Sequence, residues 1–156
     1  MATLAAASVG LLAAAGPASA ATGAETFRIV FNGDPNTALV GRAVATGVVN
    51  AVGTDTAVVE PPGADTITLP KGTMTFVGVA PGGGVSFDPA TCVARINIEG
   101  GTYTVVGGTG AYQGASGSGT YTARGAEVFK RVNGVCSTTD VRSFVATFIL
   151  TGTLTV

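Results

Sequence analysis

No histidine and no tryptophan occur among the 156 residues. The first absence removes every Ser-His-Asp or Cys-His arrangement, because each relies on an imidazole to carry a proton. It also removes the side chain that ordinarily titrates near neutral pH, so acid–base chemistry falls to a carboxylate whose pKa burial has raised. By residue type alone Glu25, Glu60, Glu99 and Glu127 are candidates. The missing tryptophan argues against a sandwich on the immunoglobulin plan. Together with an aromatic content of only 6% it also argues against a membrane barrel with aromatic girdles.

Charge is scarce too. Charged residues make up 11% of the chain, against roughly 25% in an average globular protein. Eight basic residues stand against nine acidic ones with no run of either sign, which excludes the electrostatic footprint of a nucleic-acid binder. Threonine and serine must therefore cover much of the surface, a composition that suits strands. Cysteine is limited to Cys92 and Cys136. Two thiols far apart in sequence, without histidine, do not make a metal-ligand pattern, and neither a metal nor another cofactor is expected.

What is present begins with "LAAASVGLLAAA" (4 to 15), an uncharged apolar run broken by Gly16-Pro17 and followed by Ala18-Ser19-Ala20. The run is shorter than the roughly 20 residues a spanning helix needs, and small-x-small is the pattern of a signal-peptidase site. No Lys or Arg precedes it. The reading is a signal peptide over 1–20 and a single soluble domain over 21–156, secreted and without a transmembrane segment. Export exposes thiols to oxidising conditions, so Cys92 and Cys136 are expected to form a disulfide.

The mature chain has the period of strands nearly throughout. "TFRIVFN" (26 to 32) places Phe27, Ile29 and Phe31 on one face and polar residues on the other. "NGDPN" (32 to 36) reads as a turn. "TALVGRAVATGVVNAVG" (37 to 53) alternates a small row, Gly41, Ala43, Ala45, Gly47 and Ala51, with a row holding Val40, Arg42, Val44 and Val48. A row of small side chains marks a wall against which something packs closely. "EPPGAD" (60 to 65), "LPKG" and "APGGG" read as loops, with strands between and after them at "TMTFVGVA" and "VSFD". "TCVARINIE" (91 to 99) directs Cys92, Ala94, Ile96 and Ile98 inward, and Gly100-Gly101 signals a hairpin before "GTYTVV". In "VRSFVATFILTGTLTV" one face carries Phe144, Ala146, Phe148, Leu150 and Leu154, the other threonines. No segment has a helical period.

The stretch "GGTGAYQGASGSGTYTA" (107 to 123) tests for a nucleotide loop and fails. From Gly108 the third glycine of a dinucleotide fingerprint would be Gln113, from Gly117 it would be Thr122, and no lysine supplies a phosphate loop. It reads instead as strand, glycine turn and a strand whose glycines admit a close neighbour. The positions Gly107, Gly108, Thr109, Gly110, Tyr112, Gly114, Gly117 and Gly119, with "FDPATC" (87 to 92) before them, resemble the small β-barrels of the allene oxide cyclase and dirigent type, as found in small secreted actinobacterial proteins. The resemblance spans about residues 25 to 150 and rests on structural motifs. It implies a lumen that holds polar groups, but no motif maps such groups onto numbered positions here.

Fold class is thus all-β: an antiparallel up-and-down barrel of about eight strands, whose edges close on themselves, with a β-sandwich as the alternative. Within a barrel Tyr103 and Tyr121 are candidate ligand-binding residues or core aromatics, and Tyr112 is a plug at one end. Arg42 fits either a lumen charge or a solvent-facing arginine. Glu99 belongs to the wet face of its strand, and Glu127 to a row with Phe129 and Arg131. The expected function is a secreted, non-catalytic binder of a small apolar molecule or a cell-envelope protein, with no nucleic-acid partner. The alternative, which the resemblance allows, is a cyclase or isomerase that steers a reactive intermediate by lumen shape. Large rows facing small ones would fill the interior, whereas small rows facing each other would leave a pocket. A modest apolar pocket with Tyr103, Tyr121 and Arg42 as its polar points is the expectation.

Overall fold

The computed structural model of the chain describes residues 20–34, 39–57 and 64–156. The signal peptide expected over 1–20 therefore lies almost wholly outside the described residues, as do Glu60 and parts of the turns expected at 32–36 and 60–65.

Nine strands follow one another: β1 (Thr22–Gly33), β2 (Leu39–Gly47), β3 (Ala51–Ala57), β4 (Ala64–Leu69), β5 (Gly72–Val79), β6 (Val85–Asp88), β7 (Val93–Gly108), β8 (Ser116–Val132) and β9 (Val135–Thr155). Each pairs antiparallel with its neighbours in the order β5-β4-β3-β2-β1-β9-β8-β7-β6, and β5 also pairs with β7. That last pairing closes an eight-stranded barrel and leaves β6 as an extra strand on the first half of β7. Closure satisfies the backbone groups that an open edge would leave unpaired. A short 3-10 turn, Gly110–Tyr112, links β7 to β8, as expected for the glycine stretch.

Alternation sets the wall. Along β1 the side chains of Glu25, Phe27, Ile29 and Phe31 are buried in the lumen, while Arg28 and Val30 face out. The small row of β2 also faces in, with Ala43 and Ala45 buried beside the large row of β1. A Cβ on Gly41 would stand only 2.7 Å from the Phe31 ring, so the small residue makes room for the aromatic one. Large rows thus lie against small ones, and one continuous cluster fills much of the interior. Its rings pack edge to face, Phe27 on Phe76 at 5.1 Å and Phe31 on Phe148 at 5.7 Å between centroids, an arrangement that adds to simple area burial.

Three expectations change. The alternation over 37–53 is two strands, because the chain turns through Val48–Asn50 between β2 and β3. Asp65 and Ala64 begin β4 instead of ending a loop. The hairpin expected at Gly100-Gly101 is a bulge inside β7, where the register shifts between Ile98 and Gly101 opposite β8. Gly100 takes φ 69°, a conformation that glycine adopts without the cost borne by other residues. The strand bends there and continues.

Cys92 and Cys136 stand at bonding distance, with Cα atoms 5.3 Å apart. Cys92 is buried at the turn before β7 and Cys136 lies near the start of β9, so the pair ties a loop to a strand. Among the described residues no helix is long and apolar enough to cross a membrane.

Candidate functional site

The two ends of the lumen differ. At the first, β7 ends and β8 begins, and Tyr112 is buried with Ala115, Leu154 and Met74, the plug the sequence suggested. Glu25 lies at this end, 2% exposed, and its Oε2 accepts a hydrogen bond of 2.7 Å from the Val49 amide. Its Oε1 has no partner. Burial raises the Glu25 pKa, against the lowering effect of nearby backbone amides, chiefly Val49. Tyr103, 4% exposed, packs its ring against Phe76 at 5.9 Å. Burial and then the Glu25 charge push the Tyr103 and Tyr112 hydroxyls up.

The second end is the mouth, where β1 and β3 finish and β4 starts. The alternation of β3 carries the small row of β2 onward and turns Asp55 into the lumen, opposite Gly41 on β2 and Ile67 on β4. Asp55 is 1% exposed, and neither carboxylate oxygen has a hydrogen-bond partner of good geometry. Burial, and then the charge of Asp65, raise its pKa to about 7; the Thr56 amide offsets only part of that rise. Asp65 sits on β4, half-buried, in register with Phe76. Across the lumen Tyr121 is also half-buried, its hydroxyl pushed up by burial and by Asp65. The Tyr121 ring stacks 6.2 Å from Phe148 and lies over Gly101, where any Cβ would collide with it. The mouth is also where the part-exposed core residues Leu39, Ala57 and Ile96 collect.

Of the residues singled out in the sequence, Tyr121 is at this site and Tyr103 belongs to the opposite, filled end. Arg42 is corrected. It stands on the outer face of β2, exposed, because the small row and not the valine row faces the lumen. Glu99 is on the outer surface as expected, ion-paired with Arg124. Glu127 is half-buried, and burial raises its pKa. Asp55 escaped notice because it is flanked by Thr54 and Thr56 and reads as the polar member of an alternating strand, and Asp65 because it follows "EPPGA" and reads as the end of a loop. The available signal was parity: counted on from Gly41, Asp55 continues the inward row once the turn at Val48–Asn50 is allowed for.

A separate hollow of about 500 Å³ lies outside the lumen, beside the disulfide, lined by Thr91, Cys92, Phe129, Lys130 and Arg142 among others. Arg131 there is committed to the carbonyls of Ala90 and Gly134, at 2.7 and 2.8 Å. It braces the long β8–β9 hairpin against the β6–β7 turn.

Compared with known proteins, the chain matches no family model, no curated protein and no solved structure.

Proposed function

We propose that this chain is an exported β-barrel that binds a small, largely apolar molecule at the mouth of its lumen, with Asp55, Asp65 and Tyr121 as the polar contacts. Asp55 carries the reading. A carboxyl only 1% exposed with both oxygens unpartnered costs the fold roughly 1–3 kcal/mol, and packing alone would be served better by an apolar residue. A bound molecule with one polar end would supply the missing partner, and Phe31, Phe148 and Tyr121 would cover its apolar part. This is how most small-molecule sites are built: an apolar wall with few polar groups. The likeness to allene oxide cyclase and dirigent barrels, carried by the glycine stretch at 107–119, belongs to the same reading. Export is supported by the apolar run at 4–15 and by the bonded cysteines, which persist in oxidising compartments.

Thermal shift and native mass spectrometry against a panel of hydrophobic metabolites test the site. A ligand at a hundred times its dissociation constant adds roughly 2.7 kcal/mol, which raises the melting point of the wild type and not of Tyr121→Ala. A panel that leaves the melting point unmoved, with no adduct in the gas phase, would remove the proposal.

A second reading, catalysis of a cyclisation or isomerisation, draws on one observation. With a pKa of about 7, Asp55 can give and take a proton at neutral pH, the task for which histidine is missing. Turnover of an unsaturated epoxide that vanishes in Asp55→Asn but survives in Tyr121→Phe would favour it; a rate equal to that of buffer would end it.

A further inference from the structure

Basic charge in this molecule is kept out of the barrel lumen. All eight lysines and arginines are exposed. On the inner face of the wall stand Glu25 and Asp55, buried, with Asp65 and Glu127, half-buried, while Arg28, Arg42, Arg95 and Arg124 alternate to the outer face. No cation of the chain therefore lies within the lumen to answer Asp55.

The acidic inner face continues past the mouth. Beyond the barrel the first half of β7 and the adjoining parts of β8 and β9, with β6 at their edge, form a lip. A cross-strand row on it runs Phe87, Ala94, Glu127, Phe144. Phe87 is 46% exposed and meets Phe129 edge to face at 5.7 Å, with Val85 exposed beside it. A molecule entering the mouth passes an apolar shelf that contains one carboxyl and arrives at two more.

We propose that the ligand of the mouth is a cationic amphiphile, an apolar body ending in a protonated amine that sits between Asp55 and Asp65. This rests on the binding reading above and narrows it. An ammonium brings hydrogen-bond donors to the two unpartnered Asp55 oxygens, and its charge offsets that of Asp65. The Tyr121 hydroxyl feels the Asp65 charge and the Phe148 ring packs beside that of Tyr121, and aromatic faces attract a desolvated cation. A ligand carboxylate would instead add a negative charge to a lumen with no cation of its own, which unpaired burial penalises heavily.

Isothermal titration of the full chain with decylamine, decanol and decanoate, each below its aggregation threshold, separates the cases. Decylamine is expected to bind about tenfold or more tighter than decanol, a factor worth roughly 1.4 kcal/mol, with decanoate the weakest. Asp55→Asn and Asp65→Asn, read separately, should each remove most of that preference by weakening decylamine far more than decanol. Equal affinity for amine and alcohol, or a preference that survives both substitutions, overturns the cationic ligand but leaves the binding site standing. Failure of all three probes to bind the wild type removes the site itself and the inference with it.

Discussion

Asp55 shows how one side chain can set the pH response of a small domain. Its carboxyl holds a proton up to about pH 7 in the folded chain, against an ordinary value of 3.8. The folded state therefore binds more protons than the unfolded chain between those limits, and stability falls as pH rises through that window. The contribution present below pH 4 is lost by about pH 7, and its size is on the order of 4 kcal/mol. Glu25, also raised, acts in the same direction. Denaturant midpoints measured at pH 5 and pH 8 should show the wild type more stable at the lower pH. Asp55→Asn should raise the midpoint at pH 8 and shrink the difference between the two. A midpoint that climbs with pH would mean that Asp55 is ionised and partnered in the fold.

At the scale of elements, the strands are held by different devices. Alternation fixes the inward rows, since a slip of one residue would expose Phe27, Ile29 and Phe31 together. The long β8–β9 hairpin turns at Asn133-Gly134, both with positive φ, which is the geometry of the tight turn favoured between twisted strands. Its far end leans on the Cys92–Cys136 bond and on the Arg131 contacts to the β6–β7 turn. Removing the bond by Cys92→Ala with Cys136→Ala should cost roughly 4 kcal/mol in the chain-entropy model. Chemical denaturation of the double variant beside the wild type reads that loss. The loss should not extend to ligand binding at the mouth, because Asp55, Asp65 and Tyr121 lie on β3, β4 and β8 within the barrel. In the same way Gly101→Val should force the Tyr121 ring from its place and weaken binding more than it weakens the fold, which titration with decylamine would measure.

For the whole molecule, the barrel separates an acidic interior from a surface of threonine, valine and all the basic residues. Export is the prediction that belongs to this scale. Protein recovered from culture medium should begin at Ala21, which N-terminal sequencing reads directly, and should show no free thiol to alkylation until it is reduced. Membrane-bound material that still begins at Met1 would contradict the reading of 1–20 as a signal peptide.

The sequence by itself determined the strand class, the inward rows of β1, β7 and β9, the glycine turn before β8 and the pairing of the only two cysteines. These follow from local chemistry: period, β-branching, turn residues and an even thiol count. It could not determine where one alternating segment ends and the next begins, because a turn at Val48–Asn50 and a bulge at Gly100 have the same composition as the strands and hairpins around them. It also left the direction of the β2 rows open, since both valines and alanines are acceptable in a core. Tertiary structure decided that, through the size of Phe31 against Gly41. Arg42 went to solvent as a consequence, and Asp55 came into the lumen. Whether a polar residue in an alternating strand is a surface group or a buried carboxyl depends on what stands across the barrel, and only closure of the eight strands supplies it.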